Sequence, residues 1–474
     1  MSPVEPRTLK GFRDILPAEM LARDRVIDAV RTTYEKYGFV PLGTPALEAK
    51  ETLLGYGEEA NKQIYLFKDR DGADVGLRYD LTVPLCRVIA QYPELPLPVK
   101  RYQVQPVWRF DKPDPGRYRE FIQFDIDTVG STGMAADAEI IAAMCDSLSS
   151  LSLDFRLRIS NRKILNGMLD FAGIARDMGA SVMRVLDKLD KQGLDAVLLE
   201  LGPGRVDASG DKIRGLELPG EAISKIEQFL SLNRAARAET IAAARELLSG
   251  IEDAEAGLSE LDEISGYLDS LGVSDGRACI DLSIARGLEY YTGPVFEAVL
   301  VDAPEFGSVA AGGRYDTLIE KFIGKSIPAT GVSIGVDRLV AAMAALGMAA
   351  ARPSTADVLV TVMDKSRLSD YFAIAGKLRA EGIRTEVYMG DEKGIGKQLK
   401  YADRQVIPVA VIIGTDEFAA GTASIKDLRI TRKEPAATAD IKNRDEWLKA
   451  RKGQSTVPLG GLAGELRSIL AERE

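Results

Sequence analysis

The chain has 474 residues, of which 46% are hydrophobic and 28% are charged, and its formal net charge is −10. This composition is typical of a folded protein of about two to four domains, and any contact with nucleic acid must rest on local basic patches. The sequence contains no histidine, which excludes histidine-based acid–base catalysis, Ser-His-Asp triads and histidine-ligated zinc.

The cysteines and the N-terminal residues indicate a cellular compartment. Cys86, Cys145 and Cys279 are far apart and form no Cys-x-x-Cys pair. We therefore expect reduced thiols in a cytoplasmic protein, with neither a disulfide framework nor a cysteine-rich zinc site. No apolar run is long enough to span a membrane, and the first residues lack the apolar core of a signal peptide.

The first elements along the chain are a helix, a hairpin and a second helix. A helix is predicted from about residue 22 to 37, ended by Gly38, because apolar residues recur on one face at Val26, Ile27, Val30, Tyr34 and Tyr37. "IYLFKDRDGADVGLRYD" predicts a hairpin that turns near Asp71 and Gly72. "TVPLCRVIAQY" predicts the next helix.

Residues 100–130 predict a hairpin with one polar face. Strand alternation places Arg101, Gln103, Gln105 and Arg109 on one side of the first strand. The same alternation gives the second strand a face with Arg117, Arg119, Phe121, Gln123, Asp125 and Asp127. One interpretation is a sheet with a solvated face. The other is a binding site, because arginines fit phosphates, an aromatic ring stacks on a base and carboxylates hold cationic groups.

Helical patterns dominate from about residue 170 to 271, and strand-like sequence resumes at "RACIDLSIARGLEYYTGPVFEAVLV". A further helix is predicted near residues 335–346, followed by an aperiodic linker at 347–356. Beyond it, strands and helices alternate, which predicts a separate α/β domain with a partly parallel sheet. "GDEKGIGKQ" is not a phosphate loop, because its glycines are one residue too far apart and Gln398 stands where serine or threonine is needed.

These segments resemble a known family when they are taken together. The 100–130 hairpin is similar to motif 2 of class II aminoacyl-tRNA synthetases, "GFRDILP" with "FVPLGTPALE" to motif 1, and "AAGGRYDTLIEKF" with "PATGVSIGVDRLVAAM" to motif 3. "LRYDLTVP" and "RGLEYYTGPVFE" resemble the histidyl-tRNA synthetases in particular. The resemblance implies an α+β catalytic core built on an antiparallel sheet, a helical insertion and a C-terminal α/β anticodon-binding domain.

The resemblance also implies domain bounds and partners. The catalytic core would comprise residues 1–170 and 272–346, interrupted by the insertion at 171–271. The linker at 347–356 would lead to an anticodon-binding domain at 357–474. The expected substrates are L-histidine, ATP with Mg²⁺ and histidine tRNA, which the enzyme would join through a histidyl-adenylate. Motif 1 implies a homodimer. Since no protein nucleophile is needed, catalysis would rest on positioning and charge stabilisation.

The resemblance assigns the ATP site to four residues. Arg109 would hold the α-phosphate, and Arg117 and Arg338 the distal phosphates. Phe121 would stack on adenine, with Arg338 on the opposite face. Arg338 could also be a solvated charge on its helix.

The histidine site and the catalytic charge are assigned in the same way. Asp80, Thr82 and Gln123 would bind the α-amino and carboxylate ends, and Asp127 and Tyr291 the imidazole. Arg286, with Arg109, would stabilise charge at the reacting phosphate. Thr82 could instead be a helix N-cap, and we expect Tyr290 to be a packed core residue.

Contacts with tRNA are predicted for Lys112, Lys393, Lys397 and Lys400. The loop "DKPDPG" departs from the usual bacterial "ERPQKG", which contacts the acceptor end including the extra 5′ guanosine of histidine tRNA, and we therefore hypothesise an altered acceptor-end preference. Separately, Asp80 stands where many bacterial members have glutamate.

Two other functions share these motifs. A histidine-sensing regulatory subunit of histidine biosynthesis would bind histidine without charging tRNA, and a stress-sensor module would also only bind. Such regulatory subunits lack the anticodon domain and usually lose the ATP arginines, both of which this chain retains. Threonyl and prolyl enzymes lack the Arg-Gly-x-x-Tyr-Tyr element. The absence of histidine suggests, as a hypothesis, that the protein can be translated during histidine starvation; its synthesis rate in histidine-limited cells tests this.

Overall fold

The computed structural model describes residues 3–55, 58–113, 116–206, 210–285, 290–348, 352–391, 394–433 and 454–471. The chain forms two compact units. One comprises Met1–Asp14 and Arg23–Ala349, and the other Ile15–Ala22 and Ala350–Glu474. Among the described residues, no helix combines the length and apolar character needed to cross a membrane.

The strands of the described residues follow in chain order: β1 Val40–Pro41, β2 Leu47–Ala49, β3 Leu66–Lys68, β4 Asp74–Leu77, β5 Val99–Trp108, β6 Glu120–Val129, β7 Phe155–Asn161, β8 Gly204–Val206, β9 Lys212–Arg214, β10 Ala278–Ile280, β11 Pro294–Leu300, β12 Ser308–Arg314, β13 Ala329–Gly335, β14 Val358–Val360, β15 Thr385–Val387, β16 Val409–Ile412, β17 Thr422–Asp427 and β18 Gln454–Pro458.

The α-helices of the same residues are α1 Pro17–Lys36, α2 Lys50–Leu53, α3 Glu58–Gln63, α4 Thr82–Gln91, α5 Ala135–Ser150, α6 Arg162–Ala172, α7 Gly179–Leu186, α8 Leu189–Gln192, α9 Leu194–Leu201, α10 Gly220–Leu230, α11 Arg237–Leu247, α12 Glu252–Ser270, α13 Glu320–Ile323, α14 Val336–Ala345, α15 Leu368–Ala380, α16 Ile395–Arg404, α17 Thr415–Ala420, α18 Leu428–Lys433 and α19 Leu462–Ala471. Short 3₁₀ turns lie at Arg176–Met178, Pro304–Phe306, Lys365–Arg367 and Leu459–Gly461.

The predicted early elements are present. The first helix begins at Pro17, before the predicted start, because proline fits the first helical position. Gly38 ends it with φ of +79°. The predicted hairpin is β3–β4, with Gly72 at φ +87° in its turn.

The larger sheet is antiparallel at its centre, as the resemblance implied. Within the described residues its strand order is β1-β5-β6-β13-β12-β11-β7-β10, and only the two edge pairs, β1–β5 and β7–β10, are parallel. The β5–β6 register pairs Arg101 with Asp127, Gln103 with Asp125 and Gln105 with Gln123. The predicted polar residues of the hairpin therefore share one face.

The two faces of this hairpin are both covered. On the apolar face, the rings of Tyr34 from α1 and Phe124 from β6 lie 5.2 Å apart, edge to face. On the polar face, Arg101, Gln103, Asp125 and Asp127 are between 0% and 2% exposed. The interpretation of a solvated polar face is therefore wrong at these positions, and buried charges of this kind require partners or a ligand.

The chain between β7 and β10 is mainly helical, as predicted, with the β8–β9 hairpin as its strand element. Two glycines let α6 and α12 approach closely. A Cβ on Gly167 would lie 2.6 Å from the Cβ of Ala254, and one on Gly257 would lie 2.8 Å from Cγ1 of Ile164. The insertion is thus a packed bundle whose helices require small residues at their contacts.

The C-terminal unit has the predicted partly parallel sheet. In its described residues the order is β15-β14-β16-β17-β18, with β14 parallel to both of its neighbours and β17 antiparallel to β16 and β18. Gln398 of α16 is buried, and its amide exchanges hydrogen bonds of 2.9 and 2.8 Å with the backbone of Val362. That structural role agrees with the rejection of "GDEKGIGKQ" as a phosphate loop.

Candidate active site

A buried ion pair forms the floor of the candidate site. Nη2 of Arg101 on β5 lies 2.7 Å from Oδ2 of Asp127 and 4.0 Å from Oδ2 of Asp125, both on β6. The Arg101 guanidinium also donates to the carbonyl of Leu81 at 3.2 Å. Because Arg101 is fully buried, its charge acts on these carboxylates with little solvent screening. Arg101 was predicted on the polar face but not as a site residue.

Tyr315 and Gly331 fix the other side of Asp127. The Tyr315 hydroxyl donates a hydrogen bond to Oδ1 of Asp127. Gly331 lies opposite Asp127 in the β6–β13 register, and a Cβ on it would sit 2.0 Å from the same oxygen. Tyr315 was not predicted as a site residue, although "GGRYD" places a tyrosine two residues after paired glycines. Glycine at 331 leaves the space that the carboxylate occupies.

Burial raises the pKa of all three carboxyl groups in this cluster. The pKa of Asp125 rises to about 7 because it is desolvated, although Arg101 opposes the shift. Desolvation likewise raises the pKa of Asp127 and that of Asp80, and nearby arginines lower both. Arg101 joins this group, because it contacts Asp127, Asp125 and the carbonyl of Leu81, the residue after Asp80.

Asp80 and Thr82 lie at the start of α4. The Asp80 carboxylate accepts a hydrogen bond from the backbone N–H of Val83 at 3.0 Å, so Asp80 rather than Thr82 supplies the N-terminal capping bond. The interpretation of Thr82 as the N-cap is wrong. Thr82 is instead the first residue of α4, after Leu81 at the N-cap position.

Three tyrosines line the site together. The ring centroid of Tyr290 lies 5.0 Å from that of Tyr291 and 6.0 Å from that of Tyr315, with edge-to-face geometry. Tyr290 packs against the core cluster that includes Leu85 and Tyr315, as expected. Burial raises the pKa of Tyr291, and the carboxylate of Asp127 raises it further. Tyr291 and Asp127 therefore interact electrostatically, and their shared contact with an imidazole stays a prediction.

Three residues on the polar face of β6 each have a buried side-chain oxygen without a hydrogen-bond partner among the described residues. These oxygens are Oε1 of Gln123, Oδ1 of Asp125 and Oδ2 of Asp127, and the last of them is ion-paired with Arg101. Nε2 of Gln123 donates to Oγ of Ser333 at 2.8 Å, and Ser333 lies opposite Asp125 in the β6–β13 register. Ser333 thus holds the Gln123 amide while leaving its oxygen without a donor. A ligand with several N–H donors would satisfy these oxygens.

Arg109 and Phe121 lie together at the end of the hairpin. The guanidinium carbon of Arg109 is 5.2 Å from the ring centroid of Phe121 and 4.1 Å from that of Tyr79. Its Nε donates to the Tyr79 carbonyl at 3.1 Å. An arginine fixed beside an aromatic face suits a nucleotide, with phosphate on the cation and the base on the ring. Tyr79 was not predicted as part of this arrangement.

Arg338 and Arg117 flank the same end of the hairpin. Arg338, in the first turn of α14, is half-buried and its Nη1 donates to the Ser308 carbonyl at 2.6 Å. The interpretation of Arg338 as a merely solvated helix charge is therefore wrong. A Cβ on Gly116 would lie 3.7 Å from the Cα of Arg338. Arg117 follows Gly116 directly and is exposed, so its backbone begins close to Arg338.

Asp337 ties α14 to the hairpin. Its Oδ2 accepts from the backbone N–H of Ile122 at 2.7 Å, and its Oδ1 accepts from Arg23 at 2.5 Å and Arg13 at 3.2 Å. The residue before Arg338 therefore fixes the position of Arg338 relative to β6. This contact between Asp337 and β6 was not predicted.

Other predicted residues lie apart from the cluster. Lys112 is exposed near the hairpin turn, and Lys397 and Lys400 are exposed on α16. Arg286 and Lys393 lie outside the described residues. No group of three or more cysteine or acidic side chains with metal-binding geometry occurs within the described ranges.

Comparisons with known proteins agree with this geometry. Residues 11–339 match the model of the histidyl-tRNA synthetase family, and residues 357–451 match that of an anticodon binding domain. The chain is 44% identical to a histidine–tRNA ligase of Cereibacter sphaeroides and 44% identical to one of Paracoccus denitrificans, each alignment covering 98% of this chain and 97% of the relative. The crystal structure of histidyl-tRNA synthetase from Nostoc sp. superposes with a TM-score of 0.80 at 31% identity, covering 98% of this chain and all of that one.

Proposed function

From the premise that the chain belongs to the histidyl-tRNA synthetase family, we propose that it ligates L-histidine to histidine tRNA through a histidyl-adenylate made from ATP. The observation that carries the proposal is the buried cluster of Arg101, Asp125 and Asp127 beside Tyr291. Fixed acceptors of this kind suit a small cationic amino acid with a donor-rich ring. The neighbouring Arg109 and Phe121 suit the nucleotide.

At the histidine end, Asp127 and Tyr291 would take the imidazole N–H groups. Asp80, Thr82 and Gln123 would hold the α-amino and carboxylate ends. Two features of the structure support these assignments. The capping bond to Val83 orients Asp80, and Gln123 retains an unpartnered oxygen. Because these side chains are already held in one orientation, less conformational entropy is lost when the substrate binds.

At the ATP end, Arg109 would contact the α-phosphate and Arg117 and Arg338 the distal phosphates. Phe121 would stack on adenine. The histidine carboxylate oxygen would form a bond to the α-phosphorus while the bond to the pyrophosphate oxygen breaks, so pyrophosphate leaves. Arg109 and Arg286 would stabilise the charge that develops there.

Mg²⁺ would accompany ATP and supply charge neutralisation on its phosphates. The donor set fits a metal of this kind only through the nucleotide, because the described side chains include no metal-binding cluster of three or more such groups. Magnesium at phosphate-transfer sites is usually held by the phosphates and water with one or two carboxylates.

The remaining parts of the proposal concern organisation and partners. The core would comprise residues 1–170 and 272–346, the insertion 171–271, the linker 347–356 and the anticodon-binding domain 357–474. Lys112, Lys393, Lys397 and Lys400 would meet tRNA phosphates. We also propose a homodimer that works in the cytoplasm. The match of residues 357–451 to an anticodon binding domain favours a tRNA-charging enzyme over a histidine-sensing regulatory subunit.

The test is ATP–pyrophosphate exchange with each of the twenty amino acids. Exchange should depend on histidine alone, and Asp127→Asn should raise the histidine KM about tenfold or more, since a charged hydrogen bond is worth roughly 1.5–3 kcal/mol. Asp146→Asn is the matched control, because Asp146 is an exposed carboxylate bonded to a different tyrosine, Tyr37. Histidine binding without exchange would instead identify a regulatory subunit, and exchange with another amino acid would overturn the proposal.

A further inference from the structure

The acidic cluster of the candidate site contains more negative than positive charge. Asp80, Asp125 and Asp127 are all at most 5% exposed, and Arg101 is the cation in direct contact with two of them. Among the described residues, these three carboxylates have one guanidinium in direct contact, while Arg109 and Arg78 act on Asp80 and Asp125 from farther away. Buried like charges at this density are strongly unfavourable unless a proton or a cation joins them.

The two more distant arginines are held by neutral groups outside the cluster. Arg78 acts on Asp125 at longer range, but hydrogen bonds hold its guanidinium to Thr44, Gln105 and Pro106. Arg109 acts on Asp80 and is fixed to the Tyr79 carbonyl. The other titratable groups that act on the cluster from the described part of the chain are neutral near pH 7, because burial raises the pKa of each: Cys86, Tyr290, Tyr291 and Tyr315.

Asp125 is the carboxyl group best placed to carry a proton. Its pKa of about 7 is raised by desolvation and by the charges of Asp127 and Asp80. Its Oδ1 has no partner among the described residues, whereas Asp127 is held by Tyr315 and Arg101. Because the groups interact, the proton belongs to the cluster, with Asp125 as its main site.

We propose that Asp125 is a further histidine-binding residue and that the α-ammonium group of histidine displaces a proton from the acidic cluster when it binds. The inference rests on the proposed function. The ammonium brings one positive charge and three N–H donors, and Oδ1 of Asp125 and Oε1 of Gln123 lie on one face of β6 without partners in the described chain. The O–H bond of the carboxyl group breaks, the proton passes to solvent and the carboxylate accepts the ammonium.

Isothermal titration calorimetry of histidine into the full-length protein, in buffers of different ionisation enthalpy, counts the released protons. At pH 7 we expect about half a proton per site from the cluster, since a group with a pKa of about 7 is half protonated there. Asp125→Asn should lower the count by that amount, while any proton from the substrate imidazole is common to both proteins. Asp74→Asn, an exposed carboxylate paired with Lys68, is the matched control and should not lower it.

Two histidine analogues identify the group that displaces the proton. Histamine keeps the amine and lacks the carboxylate, and should release the proton. Imidazole-4-propionate lacks the amine and should release about half a proton less at pH 7. If both analogues release the same number, or if wild type and Asp125→Asn do, the proposal is wrong.

The pH dependence of exchange gives a measurement that is independent of calorimetry. The histidine KM of the wild type should be about tenfold higher at pH 6 than at pH 8, beyond any change shared with Asp125→Asn, because a proton must leave before the ammonium binds. Equal profiles would overturn the proposal. If no amino acid supports exchange in the wild type, the proposed function fails instead. If Asp125→Asn does not fold, calorimetry of the wild type with the two analogues still tests whether the amine releases the proton.

Discussion

The hydroxyl of Tyr315 donates a hydrogen bond to Oδ1 of Asp127, and both side chains are 2% exposed. Arg101 lies against the other carboxylate oxygen at 2.7 Å. The two contacts together leave Asp127 one orientation. A carboxylate that recognises an imidazole ring by accepting its N–H bond needs such a fixed orientation, because a hydrogen bond weakens steeply when its acceptor points away from the donor.

Removing the Tyr315 hydroxyl should therefore weaken histidine binding more than it slows the reaction. Tyr315→Phe leaves a buried carboxylate oxygen without its donor, at a cost of roughly 1–3 kcal/mol. We expect the histidine KM in pyrophosphate exchange to rise about tenfold, with a smaller change in kcat. Tyr37→Phe is the control, since it removes a tyrosine–aspartate bond to Asp146 outside the site. Equal effects of the two substitutions would contradict the assignment.

Gly331→Ala tests the space that Asp127 occupies. The added Cβ would lie 2.0 Å from Oδ1 of Asp127 and 2.7 Å from the Ile126 carbonyl oxygen, so the carboxylate must move. We expect the histidine KM to rise by about ten- to a hundredfold, the range for loss of a charged hydrogen bond, while the ATP KM changes little. Gly276→Ala is the control, because its nearest atom would be 3.9 Å away. An unchanged histidine KM would show that Asp127 does not contact the substrate.

Two glycines of the same helix should respond oppositely to alanine. In α12, a Cβ on Gly257 would approach Cγ1 of Ile164 to 2.8 Å and its backbone nitrogen to 3.1 Å, whereas Gly266 is exposed with nothing within 4 Å. Gly257→Ala should lower the free energy of unfolding by about 1–3 kcal/mol through overpacking. Gly266→Ala should raise it by about 0.5–1 kcal/mol through helix propensity. Urea unfolding followed by circular dichroism measures both, and the same sign for the two would refute the packing described for α6 and α12.

The hairpin loop at residues 111–116 predicts an unusual acceptor-end preference. It reads "DKPDPG", whereas the family resemblance leads us to expect "ERPQKG" in the segment that would contact an extra 5′ guanosine. We expect transcripts of histidine tRNA with and without that guanosine to be charged with kcat/KM values within about tenfold, equivalent to roughly 1.4 kcal/mol. Pyrophosphate exchange needs no tRNA, and it is the control that shows whether the enzyme preparation is active. Strict dependence on the guanosine would refute the hypothesis.

The sequence predicted the polar face of the hairpin, because a period of two places Gln123, Asp125 and Asp127 together on any strand. The sequence could not show that this face is buried, since burial depends on β13 and α4, which lie elsewhere in the chain. For the same reason the counter-ion role of Arg101 and the bond from Tyr315 were missed. The local pattern at Thr82 was misleading, because the capping bond comes from Asp80, two residues earlier.

The burial of the acids by β13 has a consequence for the order in which the protein folds during synthesis. The bond between Asp127 and Tyr315 spans 188 positions, and that between Gln123 and Ser333 spans 210. A ribosome therefore completes the helical insertion while β6 still exposes its carboxylates to water. Contacts over such distances form late, because a long loop must close first. We therefore expect the charged cluster to lose its water late in folding, when β13 and Tyr315 pack against β6.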